Sequence, residues 1–202
     1  DKKKKSDKKK KSDKKSHKSK KDKKSSPDGS VSLLYKNGND FDGILNYLTK
    51  KSGFNIQENG TIEITSNSAN CKLKNLVDFN EGSLFQSKRD NDIWICYDFK
   101  QSRVKITSYQ IKSFQKGKNG PHLKSWCIET SNDKNVWTKI DERIDCETLN
   151  GSKLTGTFET RPNEFVRYVR IHQTDRTWQG KGIWLVFYYL EFFGYLKEEN
   201  KK

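Results

Sequence analysis

The chain is short of the features that usually mark a chemistry. Its 202 residues hold 3 His and 3 Pro, and only 31% are apolar. No stretch of about 20 apolar residues occurs, so no helical membrane span can be read. The longest apolar run, 183–193, is too short and is broken by Glu191. No C-x-x-C pair occurs among the cysteines at 71, 96, 127 and 146, which removes the spacing of a zinc or redox motif. A Gly-x-Ser-x-Gly elbow, a phosphate loop and a His-x-x-His pair are also missing. The histidines are scattered, with His17 near the start, His122 in a Gly-Pro loop and His172 at a strand end, opposite in phase to Val169 and Ile171. A Cys–His pair remote in sequence can still meet in space. Without a catalytic motif, the fragment reads as non-enzymatic.

What is present in excess is lysine, and it is concentrated. Asp1-Lys-Lys-Lys-Lys-Ser6 repeats as Asp7–Ser12, with a degenerate copy from Asp13. Residues 1–26 carry 15 of the 41 Lys and Arg and 4 of the 26 Asp and Glu, which is +11 of the formal +15. The remainder carries only +4, so the basic character belongs to an appendage. With no apolar residue to offset an ordering cost of roughly 1–2 kcal/mol per residue, the tail (1–30) is expected to stay disordered. Three readings are open for it: a non-specific polyanion or nucleic-acid arm, attachment to an anionic membrane surface, and a solubilising linker. Tyr, Phe, Trp and Arg are absent from it, so it offers no stacking platform for bases. The chain begins at Asp1 rather than Met and shows no secretory signal; the tail is expected to be a linker in a longer protein.

Residues 31–196 suffice for one domain, with a charged end at 197–202, and their aromatic residues supply the core. The hydrophobic period is that of strands. Ile95, Tyr97 and Phe99 alternate with Trp94, Cys96 and Asp98. Val104 and Ile106 share one phase while Tyr109 and Ile111 take the other, which predicts a bulge near Thr107-Ser108. Further strands are expected at 61–65, 123–130, 136–145, 156–160, 165–173 and 183–193, the last apolar on both faces and so covered on both. Only 41–51 reads as a helix, with Ile44, Leu45 and Leu48 on one face and Gly53 as its stop. About eight strands with one short helix indicate an all-β fold, a β-sandwich or jelly roll. Cys96 and Cys127 lie inside apolar runs, where a thiol behaves as a small hydrophobe. All four cysteines read as reduced thiols in an intracellular protein, cytoplasmic or nuclear, although an even count leaves a disulfide open.

Several runs resemble the coagulation factor 5/8 type C, or discoidin, domain. In family order they are Asn75-Leu-Val-Asp78 with Ser87, Trp94–Phe99, Val104-x-Ile106, Ser131-Asn-Asp133 with Trp137, Phe158, Arg167–Ile171 and Glu191-Phe-Phe-Gly194. The chain looks closer still to intracellular forms that follow BTB and BACK-like domains in protist proteins. The resemblance implies an eight-stranded galactose-binding-like jelly-roll β-sandwich used as a recognition module, not an enzyme. Extracellular members usually carry a terminal disulfide, and this chain has Tyr195 where such members often have Cys. That departure argues against clotting-type and lipid-binding roles. Phe79-Asn80 replaces the Gly-Asn of many glycan-binding members, which weakens the sugar and calcium inheritance.

The resemblance also implies that alternate loops, here 66–74, 86–92, 113–122 and 174–182, gather at one end as the ligand surface. They carry Lys88, Arg89, Lys116, Lys118, His122, Arg176, Trp178 and Lys181, which suit an acidic peptide or a sugar stacked on an indole. The competing reading makes Trp178 a cap on the core and leaves the charges solvated. Some family members bind Ca²⁺ through oxygen, and the matching candidates are Asp78, Asn80, Ser87 and Glu191. The alternative preferred for these gives Asp78 a turn hydrogen bond and pairs Glu191 with Arg167 or Arg170. No other cofactor is implied. The leading expectation is a protein-interaction module in a multidomain scaffold. The alternatives are a lectin-like carbohydrate-binding module, with or without Ca²⁺, and a polyanion tether through the tail.

Overall fold

The computed structural model describes residues 28–198 apart from 81, 91 and 181–183. The lysine repeats, with the disorder and polyanion role expected of them, lie outside the described residues, as does Lys181. Among the described residues, ten strands pair antiparallel in two five-stranded sheets. One sheet orders β1 (Val31–Leu33), β10 (Val186–Glu198), β5 (Ser102–Ser113) and β8 (Thr155–Glu159), with β3 (Phe85–Gln86) also on β10. The other orders β2 (Glu63–Ser66), β4 (Ile93–Asp98), β9 (Tyr168–Gln173), β6 (Trp126–Ser131) and β7 (Thr138–Arg143). Every strand expected from periodicity is there. The two additions, β1 and β3, are only 3 and 2 residues long, too short for alternation to register.

The layers close on an aromatic core. Tyr97 of β4 meets Phe192 of β10 edge-on at 5.3 Å, and Trp126 of β6 meets Phe158 of β8 at 5.2 Å. One chain of polar tips crosses this core. The Trp126 indole donates to the Tyr109 hydroxyl (2.8 Å), which donates to Asp141 (2.6 Å), itself held by Arg143 (2.8 Å).

The phase change in β5 is a bulge. β10 registers Phe193 with Ser108 but Gly194 with Ile106, so Thr107 is the extra residue. Gly194 permits it: its φ is 147°, and a Cβ there would lie 2.0 Å from the Lys105 carbonyl oxygen.

β10 is buried on both faces because α1 (Ile44–Ser52) packs across it with Ile44, Leu45 and Leu48 inward. The helix starts later than its apolar pattern suggests. Phe41 takes φ 54° and gives its N–H to the Gln110 side chain at 2.8 Å. It ends as expected, at a left-handed Gly53.

Candidate functional site

The loops at one end of the sandwich are stitched together by backbone hydrogen bonds. Lys88 N–H donates to Ser68 O at 2.6 Å, Ser87 N–H to Leu185 O at 2.9 Å, and Trp178 N–H to His122 O at 3.2 Å. The Ser87 hydroxyl accepts from Leu185 N–H (2.8 Å) and donates to Lys88 O (2.7 Å), locking β3 to the segment before β10. Between these loops opens a depression of about 400 Å³. Phe114, Pro121, Trp184 and Val186 form its apolar part, and Gln86, Asn119 and Gln179 bring amides to it. Its other wall is the 116–120 loop. The Asn119 backbone N–H is held by the Asn150 side chain at 2.7 Å.

The expected ligand residues divide. Lys116 and Lys118 line the depression, Lys118 lying 4.0 Å from Glu147. Arg89 places its guanidinium 4.8 Å from the centre of the Trp184 ring, so a cation and an indole meet at the site. Lys88 and Arg176 are exposed but outside the lining. His122 corrects the expectation of a ligand contact: it is fully buried, with Nε2 2.9 Å from Lys116 O and 3.0 Å from Gly117 O. It shapes the loop from beneath and offers nothing to a ligand. Trp178 also belongs to the scaffold. It is half-buried, its indole reaches Cys146 O at 3.4 Å, and the Lys124 ammonium sits 5.4 Å from its ring.

The aromatics that line the depression are Phe114 and Trp184, and periodicity assigns Trp184 to the last strand. Gln86, Phe114 and Gln179 are likewise missed. The available signal was Gly180-Lys181-Gly182-Ile183-Trp184, two glycines ahead of an indole at a strand edge.

The oxygen candidates for Ca²⁺ do not fit the ion. Glu191 is fully buried, with one carboxylate oxygen accepting from Leu45 N–H (2.8 Å) and Phe192 N–H (2.8 Å) and the other from Asn46 N–H (2.9 Å). It caps the start of α1, and neither arginine pairs with it, because Arg167 holds Asp98 and Arg170 holds Glu129. Burial pushes this carboxyl up to about 8, against the pull of the backbone donors. Gly43 brings the helix start this close, since a Cβ there would lie 2.3 Å from Phe192 O. Asp78 and Asn80 are exposed and accept turn N–H bonds, from Asn80 (3.1 Å) and Gly82 (2.9 Å) respectively. Ser87 is occupied as described above.

A two-layer antiparallel jelly roll with an aromatic-lined depression among its end loops defines a sandwich-type binding module. Residues 61–187 match the F5/8 type C domain, and the chain belongs to that family. No match was found among curated proteins. Among solved structures, CpGH89CBM32-5 from Clostridium perfringens, in complex with GalNAc-β-1,3-galactose, is 16% identical, with TM-score 0.53 over 67% of this chain and 96% of that one. The C-terminal domain of a chitobiase from Bacteroides fragilis is 19% identical, with TM-score 0.56 over 68% and 96%. The family 32 CBM of C. perfringens NanJ, in complex with galactose, is 16% identical, with TM-score 0.52 over 68% and 95%. At these identities the likeness establishes the shared fold.

Proposed function

We propose that the domain is a non-catalytic glycan-binding module whose sugar sits on Trp184. The observation that carries this reading is the meeting of an indole, three amide side chains and two lysines in one open depression, with Arg89 stacked on the indole. An indole face stacks on the C–H face of a sugar ring, and carboxamides both donate to and accept from hydroxyls. The volume lies in the roughly 300–1,000 Å³ range of small-ligand sites. Arg89, Lys116 and Lys118 favour sugars bearing a carboxylate or sulfate over neutral ones. That solved relatives of the same fold carry galactose and GalNAc-β-1,3-galactose supports a sugar ahead of the protein partner expected from the sequence. Binding proceeds without Ca²⁺, since the candidate oxygens serve the fold.

An array of neutral and acidic glycans, probed with the domain and with Trp184→Ala, tests the reading. The expected result is a signal on acidic glycans that the variant loses and that chelator leaves intact. A blank array, together with capture of a protein that Trp184→Ala abolishes, returns the function to a protein-interaction module of a BTB-type scaffold.

A further inference from the structure

A second cluster lies outside the lining of the depression, on the outer face of the β4-β9-β6-β7 layer. Cys127 and Glu129 stand two apart on β6 and so project from one face. Cys127 is the cross-strand partner of His172 on β9, and Glu129 is the partner of Arg170. The Cys127 sulfur, a Glu129 carboxylate oxygen and a His172 ring nitrogen all lie within 4.8 Å of one another. We propose that these three residues form a binding site for a thiophilic divalent transition metal, with Zn²⁺ the fitting ion.

The donor set is the first argument. A thiolate, an imidazole and a carboxylate suit Zn²⁺, and the two anionic ligands balance its charge. The surroundings supply the second. Asp92 Oδ1 lies 2.6 Å from His172 Nε2 and Glu129 Oε2 lies 3.4 Å from Nδ1, so Asp92 holds the Nε2–H and loss of the Nδ1 proton frees that nitrogen for an ion. A carboxylate behind a histidine is the arrangement that orients metal-bound imidazoles. Arg170 Nε holds Glu129 Oε2 at 2.6 Å while its guanidinium lies 4.1 Å from the Trp137 ring centre, which fixes the carboxylate in turn.

Without an ion, an ion-pair chain runs from Arg170 through Glu129 and His172 to Asp92, and the Cys127 sulfur is hydrogen-bonded to His172. On coordination the Cys127 S–H and His172 Nδ1–H bonds break, both protons leave to solvent, and the sulfur and the nitrogen bond the ion. Access is one-sided: Cys127 is 1% exposed, while the His172 side chain is 26% and that of Glu129 13% exposed. Three protein ligands leave the fourth tetrahedral position for water.

Cobalt chloride titrated into the full chain tests the site, because a Co²⁺–thiolate bond gives a charge-transfer band in the near ultraviolet. One equivalent is expected to produce the band and zinc chloride to displace it. Cys127→Ser and His172→Gln should remove it, whereas Cys96→Ser, Cys71→Ser and Cys146→Ser should leave it unchanged. Asp92→Asn should weaken binding by roughly 10–100-fold, the usual cost of losing an outer-shell partner. Circular dichroism checks that each variant is folded. If Cys127→Ser does not fold, the wild type decides by NMR, since zinc must shift the His172 ring resonances. No band in the wild type, a band surviving in Cys127→Ser, or His172 resonances unmoved by zinc overturns the proposal.

Discussion

Trp178 and Trp184 both lie between β9 and β10, yet their neighbours divide their roles. Trp178 leans on the Cys146 carbonyl and the Lys124 ammonium, whereas Trp184 lines the depression beneath Arg89. Trp178→Ala is therefore expected to lower stability by about 2 kcal/mol through lost packing, read as an earlier denaturant midpoint. A change confined to ligand affinity would reverse this assignment. Asp98 is the other informative residue. Burial raises its carboxyl, but the paired bonds from Arg167 (2.7 and 3.0 Å), the Lys100 N–H (2.8 Å) and both cations outweigh that and hold it below 3.8. The stability it contributes is complete above its unfolded value and is lost as pH falls through the folded one. Arg167→Gln should cost about 1–3 kcal/mol near neutral pH and much less in strong acid. Thermal melts across that range check it, and an equal loss at both ends would contradict it.

At the scale of elements, the most constrained contact is the β5–β10 bulge. Gly194→Ala would drive a Cβ into the Lys105 carbonyl in a backbone region that disfavours side chains, so a loss of about 3 kcal/mol or more is expected. A variant melting like the wild type would remove the bulge from the account. The phase reversal between Ile106 and Tyr109 made this bulge legible in the sequence, because a one-residue slip flips every following side chain. The long strands were legible for the same reason. β1 and β3 were not, because two or three residues cannot show a period. Nor was the role of Glu191, since a carboxylate on a strand gives no sign of the helix start that folds across it. Cys127 and His172 are separated in sequence by the whole of β7 and β8 and meet only through the β6–β9 register. The site was legible in part. Lys116, Lys118 and Arg89 came from loops that shared strand topology brings together, while Trp184 was hidden by its place at the head of an apolar run.

Taken whole, the molecule separates a charge-rich appendage from a nearly balanced domain. The tail's +11 predicts that deleting residues 1–26 removes most heparin retention at low salt and leaves the domain's thermal transition in place. Unchanged retention after deletion would instead put the polyanion surface on the domain. The proposed sugar selectivity of the domain places the ligand in the depression around Trp184, and it is tested most directly by isothermal titration with an acidic oligosaccharide chosen from the array, in chelator, for the wild type and Trp184→Ala. Saturable binding to the wild type is expected, weakened at least tenfold in a variant that still folds. Equal affinity in the two proteins, or binding that requires Ca²⁺, would contradict it.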